Sequence, residues 1–167
     1  SAASYSAPVS PAVPRSNLAA FDRHTGSVLP WDPSADAEVL DMVTAVNDTR
    51  VFAAGKFANV GGQTNRGLAS IDSSGSGSVI NWPATQTIWA SGSSAAIMSI
   101  STDGNAIYGS GYHFGAGGNV ESTFSADPIT GKVNFVQDCH GDTYDAAPIS
   151  GNLYSVSHVH YCGNIGG

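Results

Sequence analysis

Short apolar runs separated by turn-forming residues predict a chain built from β-strands. Runs at 18–21 and 68–71 each lead into an aspartate and a turn that contains glycine, a combination that ends strands. Longer runs at 39–46 and 95–101 are closed by Asn-Asp and Asp-Gly pairs, which favour tight hairpin turns. The pattern therefore predicts an all-β protein of short strands.

This strand pattern repeats about every 50 residues, as two sets of aligned segments show. The first set holds an apolar strand, an aspartate and a glycine-containing turn: NLAAFDRHTGSVLPW from Asn17, GLASIDSSGSGSVINW from Gly67 and TFSADPITGKVNFV from Thr123. The second set places an apolar-aromatic pair before a double glycine: VFAAGKFANVGG from Val51, IYGSGYHFGAGG from Ile107 and LYSVSHVHYCGNIGG from Leu153. The chain is therefore expected to consist of internal repeats.

Four short strands in a repeat of about 50 residues are typical of a β-propeller blade. We expect about three four-stranded β-propeller-type blades, a partial propeller, over residues 17–66, 67–122 and 123–167. Residues 1–16 are expected to be an N-terminal linker or the end of a preceding blade. Propellers close with about 4–8 blades. Further blades, from the same or a neighbouring chain, are therefore expected partners.

Residues that recur once per unit are expected to support the repeat. Asp22, Asp72 and Asp127 fit as acceptors of backbone N–H bonds in the turns that follow them, with calcium binding as the competing interpretation. Trp31 and Trp82 are expected to pack between blades, with stacking on carbohydrate as the alternative.

The double glycines are assigned a backbone role. Gly61 with Gly62, and Gly117 with Gly118, are expected to supply positive φ angles or a close approach of the backbone where the chain crosses between blades.

At these residues the sequence resembles a family of secreted β-propeller repeat proteins of actinobacteria. The family repeat has the form NLAAxDxxTGxxxxWxP…VYxGGxFxxVGGxxR. The closest match runs from Asn17 to Gly67, with NLAAFDRHTG, LPWDP and VFAAGKFANVGGQTNRG in order. The resemblance extends over nearly the whole chain after Asn17. It implies a repeat module of a larger exported, cell-surface or virion-associated protein.

Composition and charge narrow the function classes. Charged residues make up 11% of the chain, so Ser, Thr, Asn and Gly must cover most of the surface, as in many extracellular proteins. A net charge of -7 with 6 Lys plus Arg provides no basic patch for nucleic acid. No apolar stretch is long enough to span a bilayer, so membrane insertion is not expected either.

The last unit carries the candidate chemistry. Cys139 and Cys162 are expected to form a disulfide, the default for a secreted chain. His158 and His160 share one face of a strand, and with His140 and Asp142 they are a candidate zinc or other transition-metal site. The alternative is that the disulfide holds the two segments together and the histidines make hydrogen bonds without a metal.

Two function classes follow from these observations. The first is a non-catalytic exported module that acts as a protein- or glycan-binding surface or a scaffold, with no resident cofactor. The second is a secreted hydrolase, either metal-dependent or metal-independent, that uses the His/Asp cluster of the last unit. No G-x-S-x-G or H-E-x-x-H motif selects the hydrolase.

Overall fold

The computed structural model describes residues 12–137, 139–158 and 160–162. They form an all-β protein, which confirms the all-β part of the predicted fold class. A single turn of α-helix, α1 (Ala84–Thr87), and a 3₁₀ helix (Gly115–Gly117) interrupt the strands. In chain order the strands are β1 (Val39–Ala45), β2 (Arg50–Gly55), β3 (Asn59–Val60), β4 (Gln63–Thr64), β5 (Leu68–Asp72), β6 (Val79–Ile80), β7 (Ala95–Thr102), β8 (Ile107–His113), β9 (Thr123–Ala126), β10 (Val133–Gln137), β11 (Thr143–Ile149) and β12 (Asn152–Ser157).

Two antiparallel sheets of four strands occupy the centre of the described structure. The first has the order β1-β2-β5-β6, and the second has the order β7-β8-β9-β10. Each sheet therefore takes two strands from one sequence unit and two from the next. The sheets are consequently out of phase with the sequence repeats, and every boundary between units is crossed by a ladder of backbone hydrogen bonds.

A small antiparallel pairing lies towards each end of the described chain. Near the N-terminus, an isolated bridge joins Phe21 to Val28. Near the C-terminus, β11 pairs with β12. By position in the repeat, the first element corresponds to the last two strands of a sheet, and the second corresponds to the first two. The small β3–β4 hairpin lies in the connection from β2 to β5, outside the predicted pattern.

The apolar core has two parts because successive side chains of a strand point to opposite faces of the sheet. On β2, Phe52 and Ala54 face the second sheet, whereas Ala53 faces the N-terminal segment. Phe52 meets Trp82 edge to face, with ring centroids 4.9 Å apart. Such a pair adds about 0.5–1.5 kcal/mol beyond the area it buries. The first sheet is therefore covered on both faces.

Candidate functional site

The three repeat aspartates lie at the starts of turns, and their carboxylates accept backbone N–H bonds. Asp22 Oδ1 accepts from the N–H of Thr25 at 2.8 Å, and Asp127 Oδ1 accepts from the N–H of Thr130 at 2.6 Å. Asp72 Oδ1 accepts from both the N–H and the hydroxyl of Ser74. These bonds favour the ionised carboxylate and hold the pKa of each aspartate below its usual value.

The turns at Asp72 and Asp127 also receive a tryptophan from the preceding unit. Trp31 Nε1 donates to the carbonyl oxygen of Asp72 at 2.8 Å, and Trp82 Nε1 donates to the carbonyl oxygen of Asp127 at 2.8 Å. Both indoles are buried. The same side chain thus makes the same contact at two successive boundaries between units.

A glycine in the turn provides the space for each indole. A Cβ atom built on Gly131 would lie 2.9 Å from Trp82 Cδ1 and 2.6 Å from the adjoining Pro83, and one built on Gly77 would lie 2.8 Å from Trp31 Nε1. Gly131 has a φ of +70°, in the left-handed region that favours glycine. Gly26, the counterpart of Gly131 in the first turn, has no atom within 4 Å of the equivalent position.

The double glycines differ between the two units. Gly61 and Gly62 have positive φ angles, and the Gly61 N–H bonds to the carbonyl oxygen of Pro33 at 2.7 Å. Gly117 and Gly118 do not have positive φ angles. A Cβ atom on Gly118 would instead lie 2.9 Å from the Cβ of Ala90, so a close approach of the backbone requires glycine there.

The hairpin of β11 and β12 repeats the geometry of the hairpin of β1 and β2. Both contain a bulge directly before an aspartate, Asp41 in the first and Asp145 in the last. Asp41 Oδ1 accepts from the next N–H along the chain at 2.8 Å, and so does Asp145 Oδ1. Asp41 makes a further bond, in which its Oδ2 accepts from the N–H of Ile100 in the second sheet at 2.9 Å.

The matching register identifies equivalent faces on the two hairpins. Phe52 pairs with Val43 in the first hairpin, and Tyr154 pairs with Ala147 in the last. Residues paired across an antiparallel ladder share a face. Phe52 is fully buried against the second sheet, but its counterpart Tyr154 is 59% exposed. Val156, which corresponds to the buried Ala54, is 64% exposed. We call the surface formed by Asp145, Ala147, Ile149, Tyr154 and Val156 the terminal face.

Beyond this hairpin, the cysteines and histidines lie on two connected segments. The predicted disulfide between Cys139 and Cys162 is present. Backbone bonds continue the ladder, since the N–H of His158 donates to the carbonyl oxygen of Asp142 and the N–H of His160 donates to that of His140, both at 3.0 Å. The segments are therefore fixed relative to each other by a covalent bond and by main-chain hydrogen bonds.

The structure brings part of the predicted metal site together. His158 Nε2 and His160 Nε2 are 3.0 Å apart, and Asp142 Oδ2 lies 3.9 Å from His158 Nδ1. His140 contributes a main-chain carbonyl oxygen to the ladder. Within 12–137, 139–158 and 160–162, no group of three or more His, Cys, Asp or Glu side chains is arranged to hold a metal ion.

An open polar groove borders the N-terminal segment. It has a volume of about 650 Å³, and its lining includes Arg15, Asn17, Asp36, Asn59 and Gly62. The Asp36 carboxylate accepts from the N–H groups of Asn59 and of the residue before it. Partial burial raises the pKa of Asp36, but these bonds outweigh it and the net shift is downward. The sequence pattern did not indicate this groove, because its lining residues come from separate loops.

A second surface feature is a stacked cation and ring. The guanidinium carbon of Arg66 lies 3.6 Å from the ring centroid of Trp89. Asn119 holds this segment, accepting from the N–H of Trp89 and donating to the carbonyl oxygen of Thr87. Trp89 lies outside the repeat-equivalent positions of Trp31 and Trp82, and this was the one available signal that its role differs from theirs.

No family model, curated protein or solved structure matches this chain. Among the residues that the structure describes, no helix is long and apolar enough to cross a membrane.

Proposed function

We propose that this chain is a non-catalytic, exported module of the β-propeller type that serves as a binding or scaffolding surface for proteins or glycans. The two four-stranded sheets, the hairpin of β11 and β12, and the bridge between Phe21 and Val28 support an arrangement of about three blades. The disulfide supports an oxidising compartment, such as a cell surface, the extracellular space or a virion. The resemblance to secreted propeller repeats supports the same location.

The terminal face is the observation that carries this proposal. In the first sheet, Phe52 and Ala54 on the equivalent face are buried completely. The last hairpin has a similar apolar pattern at the same register positions, yet Tyr154 and Val156 are largely exposed. An apolar sheet face of this kind is stabilised when another sheet stacks on it. The hairpin therefore has the surface of a blade whose neighbour continues the array.

The N-terminal element has the complementary features. Phe21 corresponds to the buried Ile71 by position in the repeat, but it is 57% exposed. The carbonyl oxygens of Asp72 and Asp127 receive tryptophan donors, and that of Asp22 occupies the same place in its turn. In the proposed array, a preceding blade covers Phe21 and places an indole at Asp22. Further blades, of the same or a neighbouring chain, are thus the first partners of the module.

The loops between strands supply the surface for a ligand. The groove beside Asn17 and Asn59 offers amide and carboxylate groups in an open depression, which suits hydroxyl-rich glycans or a peptide backbone. In this proposal the sheets act as a rigid support, and recognition depends on the loops that they hold.

A tandem protein tests the proposal. Two copies of the chain are joined head to tail by a flexible Gly/Ser linker, so that the last hairpin of copy one can meet the N-terminal element of copy two, the bridge between Phe21 and Val28. Stacking predicts slower amide hydrogen exchange in β12 of copy one and around Phe21 of copy two than in the single chain. The remaining ends of the tandem protein serve as internal references.

A matched control introduces Tyr154→Lys and Val156→Lys into copy one only. These charges prevent burial of the terminal face, and the added protection should disappear. Exchange rates in the unmodified tandem protein identical to those of the single chain would contradict the stacking of blades and with it the proposed function.

A further inference from the structure

The imidazoles of His158 and His160 form a pair that the proposed scaffold does not use. Their Nε2 atoms face each other at 3.0 Å, and the rings are inclined by 60° with centroids 4.6 Å apart. Both residues are exposed. Without a metal, a neutral pair at this distance shares one proton between the two nitrogens. A metal ion can take the place of that proton.

The separation of the two nitrogens selects the geometry of the metal. Bonds of about 2.0–2.1 Å to nitrogens 3.0 Å apart enclose an angle of about 95° at the metal. This value is near the right angle between neighbouring ligands in square-planar or tetragonal Cu(II) and Ni(II) sites, and it is narrower than the tetrahedral angle of zinc.

Asp142 lies behind the pair, on the side from which a carboxylate usually supports a metal-bound histidine. Asp142 Oδ2 lies 3.9 Å from His158 Nδ1, the ring nitrogen opposite the one that faces His160. This distance is longer than a hydrogen bond, but the charge of the carboxylate favours a proton on Nδ1, the tautomer that leaves Nε2 able to coordinate. The disulfide between Cys139 and Cys162 and the backbone ladder hold the two segments, so little ordering is required when a metal binds.

We propose that His158 and His160 form a chelating site for one transition-metal ion with tetragonal coordination. Cu(II) is the preferred ion, followed by Ni(II). The two imidazoles occupy adjacent coordination positions, and solvent water completes the coordination at this exposed surface. Each Nε2 must be unprotonated to coordinate, so the proton between the two rings moves to Nδ1 of the ring that carries it, and both histidines bind as neutral imidazoles. The site depends on the last hairpin alone and is independent of how the blades continue.

Titration of the oxidised chain with Cu(II), followed by calorimetry and electron paramagnetic resonance, tests this site. We expect one Cu(II) per chain, with hyperfine splitting from two imidazole nitrogens. His158→Ala and His160→Ala should each weaken Cu(II) binding by about tenfold or more. Loss of a residue that only hydrogen-bonds to a metal ligand already weakens binding by about tenfold, so loss of a ligand should have at least that effect. Matched controls are His24→Ala and His113→Ala, which should leave the affinity unchanged.

A measurement on the unmodified chain covers the case in which a variant fails to fold. A low ratio of Cu(II) should selectively broaden the imidazole proton signals of His158 and His160 in the NMR spectrum, and spare those of His24 and His113. Equal broadening of all these signals, or equal Cu(II) affinity of the chain and both variants, would overturn the site.

Discussion

The indole N–H of Trp82 donates a 2.8 Å hydrogen bond to the main-chain carbonyl oxygen of Asp127, 45 residues further along the chain. Trp31 makes the same bond, of the same length, to Asp72. Each bond connects one sequence unit with the turn of the next. The repeat in the sequence therefore corresponds to a repeated contact in three dimensions.

Removal of the indole donor should destabilise the protein. Trp82→Phe keeps an aromatic ring but leaves the Asp127 carbonyl without its donor, at an expected cost of about 2 kcal/mol. Urea unfolding followed by circular dichroism measures the loss. Trp89→Phe is the matched control, because that ring is partly exposed and a phenyl ring still stacks on Arg66, with an expected loss of about 1 kcal/mol or less. Equal losses would argue against a special role of the Trp82 bond.

Asp41 should contribute more to stability than its counterpart Asp145. Asp41 bonds both to its own hairpin and to the N–H of Ile100 in the next sheet, whereas the bond of Asp145 within the described residues is local. Asp41→Ala should therefore lower the free energy of unfolding by about 1–3 kcal/mol more than Asp145→Ala does, because it leaves a buried N–H without an acceptor. Unfolding free energies of the two variants measure this difference. A cost of Asp145→Ala equal to or above that of Asp41→Ala would contradict the assignment.

The aspartate turns should make the protein sensitive to acid. The pKa values of Asp22, Asp72 and Asp127 are lowered in the folded protein, by hydrogen bonds from Thr25, Ser74 and Thr130 respectively. The pKa of an aspartate in an unfolded chain is about 3.9. As the pH falls, the unfolded chain takes up protons first, so the stabilisation is complete above that value and is lost as the pH falls through the folded-state values.

Unfolding free energies measured from pH 7 to pH 3 check this expectation. Asp127→Asn keeps a side-chain acceptor for the turn but cannot titrate, so its stability should fall less steeply than that of the parent protein. Two outcomes would be inconsistent with the lowered pKa values. One is an unfolding free energy that depends on pH equally in the variant and the parent, and the other is a parent protein that becomes more stable in acid.

The disulfide should stabilise the last hairpin and the histidine pair together. Cys139 and Cys162 are separated by 23 residues, and a crosslink of that span stabilises by about 3 kcal/mol in the loop-entropy account. Intact mass before and after reduction should differ by two hydrogens, and reduction should lower the unfolding midpoint. A Cys139→Ala/Cys162→Ala variant should start at the lower midpoint and be insensitive to reductant. No mass change on reduction would show that the bond is absent from the isolated protein.

The local features of the fold could be predicted from the sequence. Asp22 and Asp127 are recognisable because a turn requires particular residue types at fixed offsets. The alternation of Phe52, Ala53 and Ala54 carries less information, since all three are apolar and both faces of that strand are buried. The all-β class and the disulfide followed from such local and compositional signals.

The contacts between units could not be predicted in the same way. Trp82 bonds to a main-chain carbonyl, and Asp41 bonds to the main-chain N–H of Ile100. Every residue except proline offers both a main-chain N–H and a main-chain carbonyl, so the residue type does not reveal which residue is the partner. The same limit applies to the histidine pair, because the alternation of a strand places His158 and His160 on one face without fixing the distance between their rings.

A double-mutant cycle between Trp82 and Gly131 tests the central claim, that each unit docks its tryptophan on the turn of the next. Gly131→Ala should be far more destabilising than Gly26→Ala. Gly26 has a similar φ of +72°, but no atom lies within 4 Å of a Cβ built on it. In a Trp82→Ala background, the cost of Gly131→Ala should fall, with a coupling energy of about 1–3 kcal/mol. It should stay above the cost of Gly26→Ala, because Pro83 lies 2.6 Å from the added Cβ atom and remains in place. Strictly additive costs for Trp82→Ala and Gly131→Ala would show that the two residues do not meet, and would contradict the stacking of successive units.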